Sequence, residues 1–492
     1  MKHIPFPFLA LSVLAAACSA VPAPEACGPV PSSNQLKVQD METYAFLHYS
    51  LNTYTDAEWG YGNESPEIFN PSNLDARQWA RTCRAAGMKG IIFTAKHHCG
   101  FCMWPSAYTE FSVRNSPWKN GAGDVVKDLA EACREEGLRF AVYLSPWDRN
   151  HAAYGGPEYV KYFRNQLTEL LSNYGDMFEV WFDGANGGNG WYGGADTVRR
   201  IDKDTYYGWD ETYALARSLQ KDIIVWGDSR FIADFRWIGN ESGFAGEKNW
   251  SLLENGRRAD MEELGHGLET GDRWVFPEVD VSIRPGWFYH EREDSLVKTL
   301  PELMAIYYKS VGRNSTLLLN FPIGRDGLIH PVDSARGAEF AATVAGVFAH
   351  NLAEGAKISA DNVRGGSRRY AAGKAVDGRP DTYWATDDGV VSANMLMEFD
   401  APTEFNRFVA GEYVALGQRV KDFALEALVD GEWVELNDIS GTEDATTTIG
   451  RKRIIRFPTV KASALRFSIL DSKACPLISN VGVYFSNEKV NL

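Results

Sequence analysis

The chain has 492 residues, of which 45% are hydrophobic and 23% are charged. This length and composition favour two or three globular domains and argue against a disordered or fibrous protein. The formal charge of −15 argues against a nucleic-acid partner, because no basic surface is available to displace counterions. The 15 Trp and 21 Tyr suit either the faces of sugar rings or a large aromatic core, and composition leaves both readings open.

Residues 1–20 predict an export signal, because Lys2 precedes an apolar run over residues 6–17 that is too short to span a bilayer. Residues 15–18 (AAAC) are similar to a bacterial lipobox, in which Cys18 would carry a lipid anchor. Plain cleavage after an alanine is the alternative. We therefore expect an exported bacterial protein, periplasmic or an outer-membrane lipoprotein, with a linker over residues 21–40. No other segment is long and apolar enough to predict a membrane span.

Strand-like apolar runs alternate with helical stretches between residues 41 and 350. The predicted strands cover residues 45–50, 90–95, 140–145, 179–183, 223–228, 236–239, 277–283 and 317–321. Eight strands with intervening helices predict an α/β fold, a (β/α)8 TIM-like barrel. A doubly wound open sheet is the alternative, but no GxGxxG turn follows the first strand.

After residue 350 the pattern changes to short alternating strands separated by Gly, Asp and Thr, which predicts an antiparallel β-sandwich over residues 351–492. Residues 375–378 (AVDG) and 382–385 (TYWA) resemble the start of discoidin-like sandwiches of the coagulation factor 5/8 C-terminal type. We therefore expect a jelly-roll domain like a carbohydrate-binding module. Such modules either bind glycans or only pack against a catalytic domain, and the sequence leaves both possibilities open.

A barrel carries its catalytic groups just beyond the C-terminal ends of its strands. Polar and aromatic residues collect at these positions: His48, His97, His98, Tyr143, Asp183 and Glu241. Asp183 ends a strongly apolar strand, and the Gly-rich stretch that follows would leave its carboxylate exposed at the barrel mouth. A helix cap is the other interpretation of Asp183, although a run of Gly and Asn is a poor helix start.

A carboxylate nucleophile needs a second carboxyl group that acts first as an acid and then as a base, about 5–5.5 Å away in a retaining glycosidase. Glu241 is the best candidate because it follows a short strand close to a glycine. Its rivals by sequence position are Asp228, Glu247 and Asp280.

The pair His97-His98 and the Cys99/Cys102 spacing do not predict a metal or redox site. Adjacent residues at a strand end point to opposite sides, so the two imidazoles do not readily share one ion. The chain has no HExxH motif, and its CxxC is not followed by a second one. We expect neither a metal nor a cofactor.

Several long motifs resemble glycoside hydrolase family 29, the α-L-fucosidases. They lie at residues 59–71, 94–98 (TAKHH), 101–106 (FCMWPS), 112–118 (SVRNSPW), 123–126 (GDVV) and 143–148 (YLSPWD). The resemblance covers most of residues 44–325. The family's nucleophile stands in a WFDG motif, which matches Asp183. The patterns WFDGANG and RWxGNE are similar to the subgroup selective for α-1,3 and α-1,4 fucosides, and the second implies Glu241 as the acid/base.

The same resemblance implies a set of fucose contacts: His48, Glu58, Trp59, His97, His98 and Tyr143. It also implies that Trp287 or Phe288 closes over the methyl group of fucose and that an arginine, Arg236 or Arg230, lies near the nucleophile. One position departs from the family pattern, because Cys99 stands where an aspartate is usual. If that aspartate only orients its neighbours, activity survives the change. If it contacts the leaving-group side of the substrate, the aglycone preference of this chain shifts.

The resemblance thus implies an exo-acting retaining α-L-fucosidase that acts on fucosylated oligosaccharides, with α-1,3/1,4 linkages of the Lewis type as substrates. One alternative is a broad enzyme that also cleaves α-1,2 or aryl fucosides. Another is a surface glycan-binding protein without activity, against which the intact Asp183 and Glu241 argue.

Overall fold

The computed structural model describes residues 21–184, 186–227, 233–439 and 444–488. The predicted export signal with Cys18, and also Asp228 and Arg230, lie outside these residues. Within them, no helix has the length and apolar character needed to cross a membrane.

Eight parallel strands form the N-terminal sheet, as the sequence predicts. They are β1 (Thr43–Leu47), β2 (Gly90–Lys96), β3 (Arg139–Leu144), β4 (Met177–Phe182), β5 (Ile224–Gly227), β6 (Phe235–Trp237), β7 (Phe276–Ser282) and β8 (Thr316–Asn320). Their order is β5-β4-β3-β2-β1-β8-β7-β6, so each strand lies beside its neighbour in the chain and β1 pairs with β8. The nearly closed barrel confirms the predicted fold.

The barrel closes between β5 and β6 through a side chain. Among the described residues these two strands share no ladder, but Asp234 N donates to Val225 O at 2.8 Å and Val225 N donates to Asp234 Oδ2 at 2.8 Å. Two hydrogen bonds of Asp234 to Val225 therefore connect β5 and β6 where no strand ladder does in the described part of the chain.

Nine helices occur in the described residues. They are α1 (Ser33–Gln39), α2 (Leu51–Thr55), α3 (Ala76–Ala85), α4 (Val125–Glu136), α5 (Pro157–Asn173), α6 (Trp209–Leu219), α7 (Met261–His266), α8 (Leu300–Lys309) and α9 (Pro331–Val347). Local signals fix several ends: Asp75 and Asp124 accept from first-turn amides of α3 and α4, and Gly137 ends α4 in the left-handed conformation. Strands buried on both faces need such helices around them, and all seven residues of β2 are buried.

Residues 21–40, predicted to be a linker, are instead packed against both domains. In α1, Val38 belongs to a buried cluster with Phe46 and Phe178, and Gln35 Nε2 donates to Asp234 O at 2.6 Å. Cys27 N donates to Leu416 O of the C-terminal domain at 3.0 Å. The segment lacks the long periodic pattern by which a sequence shows its packing, and this explains the difference.

The C-terminal domain is an antiparallel sheet, as predicted. Its strands are β9 (Lys357–Ala360), β10 (Trp384–Ala385), β11 (Ala393–Glu412), β12 (Val420–Val429), β13 (Glu432–Glu435), β14 (Arg453–Ser472) and β15 (Leu477–Tyr484), in the order β10-β15-β11-β14-β12-β13 with β9 on β11. The two long strands β11 and β14 change register between Glu398 and Thr403, and a separate hydrophobic core lies within the domain.

The two domains share a buried polar interface. Arg453 of β14 is 1% exposed and donates to Glu247 O and Glu247 Oε2, both at 2.8 Å, while Arg313 of the barrel contacts the same carboxylate. Asn249 N donates to Thr448 Oγ1 at 2.8 Å. These contacts hold the loop after β6, on which Glu241 lies, between the domains.

Candidate active site

A cavity of about 160 Å³ opens at the end of the barrel where the strands finish. Its lining comprises Phe46, His48, Glu58, Trp59, His97, His98, Tyr143, Trp147, Trp181, Asp183, Gly184, Asn186, Glu241, Asp280 and Trp287. Sites for drug-sized ligands measure about 300–1,000 Å³, so this cavity suits one small ring. Except for Arg236, all the predicted site residues line it.

Asp183 follows the last residue of β4 and is held by a tyrosine. Tyr143, at the end of β3, donates from its hydroxyl to Asp183 Oδ2 at 3.0 Å. Burial raises the pKa of Tyr143 well above its ordinary value, and the Asp183 carboxylate adds to this rise. Tyr143 therefore remains a phenol and keeps donating to Asp183.

The turn after Asp183 requires glycine. Gly184 has φ +76°, and a Cβ atom there would lie 2.1 Å from His98 Cε1. The sharp turn brings the Asp183 carboxylate and the His98 ring to the same cavity. The WFDG sequence thus has a steric reason in the fold.

Glu241 lies at the exposed side of the cavity, in the loop after β6. Trp287, in the loop after β7, donates from Nε1 to Glu241 Oε2 at 3.1 Å. The carboxyl group is thus oriented by one indole and remains open to solvent.

The three cavity histidines are neutral at physiological pH. Burial lowers the pKa of His48 to about 4, that of His98 to about 3, and that of His97 well below its ordinary value. Neutral imidazoles can exchange hydrogen bonds with sugar hydroxyls without carrying charge into the cavity.

Hydrogen bonds fix two of these rings. His48 Nδ1 lies 2.9 Å from Asn320 Oδ1, and the Asn320 amide nitrogen already donates to Ser282 Oγ and Trp287 O. Nδ1 of His48 is therefore the donor, which leaves Nε2 as an acceptor for a hydroxyl. His98 Nδ1 lies 2.8 Å from Ser145 Oγ. His97 Nδ1 is buried and has no hydrogen-bond partner in the described part of the chain.

The expectation that His97 and His98 point to opposite sides is wrong. Both rings line the cavity, with centroids 4.0 Å apart. Strand β2 ends at Lys96 and a turn begins at His98, so the alternation of a strand no longer applies there.

Glu58 and Trp59 complete the cavity from the loop after α2. Glu58 accepts from the backbone amides of Trp287 at 3.0 Å and Phe288 at 3.3 Å. Trp59 is 58% exposed and meets the rings of His98 and Trp147 edge-on, with centroids 5.4 and 5.7 Å away. An exposed indole at the rim of a polar cavity is a surface on which a sugar face can stack.

The family model for alpha-L-fucosidase matches residues 28–343 of this chain. The chain belongs to the α-L-fucosidase family. A second family model, for the F5/8 type C domain, matches residues 357–481. The Arabidopsis thaliana protein named alpha-L-fucosidase 1 is 39% identical over an alignment 491 residues long, which covers 97% of this chain and 92% of that protein. The protein is thus a glycoside hydrolase, an α-L-fucosidase.

Solved structures agree with this assignment. A glycoside hydrolase 29 family member from an unknown rumen bacterium superposes with a TM-score of 0.86 at 57% identity, covering 94% of this chain and 79% of that one. A Ruminococcus gnavus GH29 fucosidase, solved in complex with fucose, superposes with a TM-score of 0.85 at 32% identity and covers 96% and 98% of the two chains.

Arg236 does not lie at the fucosidase cavity, which corrects the prediction. Its guanidinium is buried and donates to Leu264 O, Asn249 Oδ1 and Trp250 O. Trp237, the next residue of β6, donates to Asp280 at the cavity, so the alternation of the strand turns Arg236 away. Burial lowers the pKa of Arg236 to about 9. Arg230, the other candidate, lies outside the described residues.

The other carboxyl groups considered for the acid/base role lie in different places. Glu247 lies at the domain interface with Arg313 and Arg453. Asp280 lines the cavity, is 4% exposed and accepts from Trp237 Nε1 at 2.7 Å. Burial first, and the charges of Glu241 and Asp183 next, raise the pKa of Asp280 to about 8. Besides Asp183, Glu241 and Glu58, the fucosidase cavity thus carries a fourth carboxyl group, Asp280, whose raised pKa favours the protonated form at neutral pH.

Two cavity residues outside the predicted set had signals in the sequence. Asp280 and Glu278 are charged residues at alternate positions of the otherwise apolar β7, which is the pattern of side chains pointing into the barrel. Trp147 is the fifth residue of the YLSPWD motif. No local signal marks His290, which contacts Glu58 behind the cavity wall.

A larger cavity of about 690 Å³ lies at the opposite end of the barrel, where Arg139 and Met177 begin β3 and β4. Barrel enzymes carry their catalytic groups at the other face. Among the described residues, no group of three or more His, Cys, Asp or Glu side chains is arranged to hold a metal ion.

Proposed function

We propose that this enzyme is an exo-acting retaining α-L-fucosidase, which releases L-fucose from fucosylated oligosaccharides and glycoconjugates by double displacement. The observation that carries the proposal is that Asp183 and Glu241 line one small cavity at the mouth of the barrel. Two carboxyl groups that flank one glycosidic bond are characteristic of both retaining and inverting glycosidases. The retaining mechanism is supported by the match of Asp183 to the nucleophile of the family's WFDG motif.

Asp183 is the nucleophile in this proposal and Glu241 is the acid/base. Asp183 attacks the anomeric carbon of the fucosyl unit while Glu241 protonates the departing oxygen, and a fucosyl-enzyme ester forms. Glu241 then takes a proton from water, which displaces Asp183 and releases fucose in its original configuration. The Tyr143 hydroxyl orients the Asp183 carboxylate during both steps.

Glu241 suits the acid/base role better than Asp280 does. The departing sugar and the incoming water both arrive from solvent, and Glu241 is exposed whereas Asp280 is 4% exposed. Trp237 also holds one oxygen of Asp280. With its pKa raised to about 8, Asp280 adds little charge at neutral pH and serves as a hydrogen-bond donor in the wall.

The remaining cavity residues fit a deoxy-sugar. His48, His97 and His98 supply neutral polar atoms for the hydroxyls, and Glu58 supplies a carboxylate. Trp59 and Trp287 supply apolar surface, with Trp287 placed to close over the methyl group. In this proposal all six contact fucose.

The linkage preference for α-1,3 and α-1,4 rests on the WFDGANG and RWxGNE patterns around Asp183 and Glu241. A panel of fucosylated substrates tests it: Lewis-type trisaccharides, a 2′-fucosylated lactose and phenyl α-L-fucoside. We expect kcat/KM on the Lewis-type substrates to exceed that on the α-1,2 substrate by about 100-fold or more, as a site rejects a poorly fitting competitor. Equal values would favour the broad-specificity enzyme, and turnover of any of them excludes a pure glycan-binding protein.

Proton NMR of the first-formed product tests the retaining mechanism. Hydrolysis of phenyl α-L-fucoside should give α-L-fucose first, followed by slow mutarotation. First appearance of the β anomer would show an inverting enzyme and would remove the nucleophile role of Asp183.

The proposal also includes export as a lipoprotein through Cys18 of residues 1–20. Bacteria that express the full chain should incorporate labelled palmitate into it, and a Cys18→Ala variant should lose the label and leave the membrane fraction. An unlabelled chain in the membrane-free fraction would point to plain cleavage of the signal.

A further inference from the structure

A continuous chain of contacts runs from the surface to the acid/base carboxyl group. Arg292 contacts Asp56, and Asp56 Oδ1 lies 2.6 Å from His290 Nδ1. His290 Nε2 lies 2.7 Å from Glu58 Oε1. Glu58 Oε2 accepts from the backbone amide of Trp287. The Trp287 indole in turn donates to Glu241 Oε2.

His290 is the central member of this chain and is buried, with 1% exposure. Each of its ring nitrogens faces a carboxylate oxygen. An imidazolium donates from both nitrogens, whereas a neutral imidazole donates from only one. The ring therefore joins the loop after α2, which carries Asp56 and Glu58, to the loop after β7, which carries Trp287.

The position of the loop that carries Trp287 depends on hydrogen bonds to its backbone. Its backbone is held by Glu58 at the amide of Trp287 and by Asn320 Nδ2, which donates to Trp287 O at 2.9 Å. The charged groups that face His290 are Asp56 and Glu58 from one side, and Arg292 and Glu293 from its own segment. Among the described residues, Glu58 is the cavity residue within hydrogen-bond distance of His290, so the influence of His290 on the reaction passes through Glu58 and Trp287.

We propose that His290 is a positioning residue for the acid/base chemistry: by clamping Glu58 between the two loops, it places the Trp287 indole that orients Glu241. The inference rests on the proposed function, because it takes Glu241 as the acid/base. It assigns a role in protonating the leaving group to a residue that does not contact the substrate.

The dependence of the rate on the leaving group tests this role. Departure of phenol needs a proton from Glu241, whereas departure of 2,4-dinitrophenol does not, and kcat/KM reports the step in which the leaving group departs. Loss of the fucose contact through Glu58 would slow both substrates alike. The ratio of the two kcat/KM values therefore isolates the effect on Glu241.

For His290→Gln we expect kcat/KM on phenyl α-L-fucoside to fall about 10- to 100-fold more than on 2,4-dinitrophenyl α-L-fucoside, as expected for a displaced general acid. Asp56→Asn keeps His290 in place and should shift the ratio in the same direction by less. Tyr289→Phe is the matched control: it removes a hydrogen bond to Asp294 in the same loop, and its ratio should equal that of the wild type.

A Trp287→Phe background completes the test, because Phe lacks the indole donor. There His290→Gln should no longer change the ratio of the two substrates. Equal losses of kcat/KM on both substrates in His290→Gln would overturn the inference. So would a change in the ratio that is as large in the Trp287→Phe background as in the wild type. If His290→Gln does not fold, as shown by the absence of a cooperative thermal transition, an unchanged ratio in Asp56→Asn overturns it and a shifted ratio supports it.

Glu241→Gln separates this inference from the proposed function. A strong leaving-group dependence in Glu241→Gln, with none in the His290 and Asp56 variants, rejects the positioning role alone. Absence of that dependence in Glu241→Gln rejects the acid/base assignment, and the positioning role is rejected with it.

Discussion

Asp183 and Glu241 line the same cavity in different surroundings. Asp183 is held by the phenol of the buried Tyr143, and Glu241 is held by the indole of Trp287 at the solvent side. A nucleophile needs a fixed position against one carbon atom, whereas an acid/base must meet both the leaving group and water. The two environments match this division of roles.

Replacing Asp183 by Ala should lower kcat on phenyl α-L-fucoside by about 10⁴-fold or more, because no ester intermediate can form. The side chain is short and lies at a cavity, so the midpoint of thermal unfolding should change little. Added azide should restore turnover and give β-L-fucosyl azide, the inverted product. Unimpaired turnover in the variant would remove the nucleophile assignment.

The neutral histidines make folding sensitive to acid. The pKa of His98 is about 3 in the folded protein against about 6.5 in an unfolded chain, so the unfolded state binds more protons between these values. Stability attributable to His98 is therefore complete above pH 6.5 and is lost progressively as the pH falls toward 3.

His98→Gln removes this pH-dependent contribution to the free energy of unfolding. Between pH 7 and pH 5 the free energy of unfolding should fall by about 2 kcal/mol less in the variant than in the wild type, as measured by urea unfolding. The exposed His350 provides the control, and His350→Gln should follow the wild-type pH dependence. Parallel pH dependences for His98→Gln and the wild type would contradict the lowered pKa.

At the scale of elements, the turn after β4 joins the nucleophile to the histidine pair. Gly184→Ala would place a methyl group 2.1 Å from His98 Cε1, at a φ of +76° that already disfavours a side chain. We expect kcat/KM to fall about 100-fold, because a displacement near 1 Å at a reacting group has such an effect.

Gly137→Ala is the matched control for this prediction. Gly137 ends α4 with φ +71°, and no atom lies within 4 Å of the position of its Cβ. The variant should lose about 1 kcal/mol of stability from the backbone alone and keep full activity. Similar activity in the two variants would show that the contact with His98 does not matter.

Most of the barrel strands could be predicted because they combine an apolar run with turn residues and a helical period on either side, as in β2 and β4. The site residues at the strand ends could be predicted because the barrel rule fixes their location. Asp183 and His48 are examples. Both inferences use information that lies within a few residues of the position concerned.

Other features depend on contacts far apart in the chain. The family resemblance implied that Arg236 or Arg230 lies near the nucleophile, but the register of the three-residue strand β6 decides which of its side chains faces inward, and Arg236 faces away. His290 belongs to the site only because Asp56 and Glu58, 234 and 232 residues away, meet it in the fold. The packing of residues 21–40 has the same long-range origin.

At the scale of the whole molecule, the interface predicts that the barrel and the C-terminal sheet unfold together. Arg453 is buried and pairs across it with Glu247, whose side chain is 38% exposed and also contacts Arg313. Arg453→Met should therefore lower the free energy of unfolding by about 1–3 kcal/mol, because Glu247 O and Oε2 lose a hydrogen-bond donor. Urea unfolding, monitored by Trp fluorescence, measures the free energy of unfolding of the variant and the wild type.

Arg466 lies on the same strand, β14, and provides the control. Its side chain is 31% exposed and pairs with Glu426 within the sheet, so Arg466→Met should cost about 1 kcal/mol or less. Both variants should keep the wild-type KM if the interface acts on stability alone. Similar losses in the two would argue against a cooperative domain interface.

The central claim, that Asp183 forms an ester with fucose, is tested most directly by trapping that ester. A 2-deoxy-2-fluoro-α-L-fucosyl fluoride should form the ester rapidly and release it slowly, because the fluorine destabilises both transition states while the good leaving group speeds the first step. Peptide mass spectrometry should then find one fluorofucosyl group on Asp183. A label on any other residue, or rapid turnover with no label at all, would contradict the account.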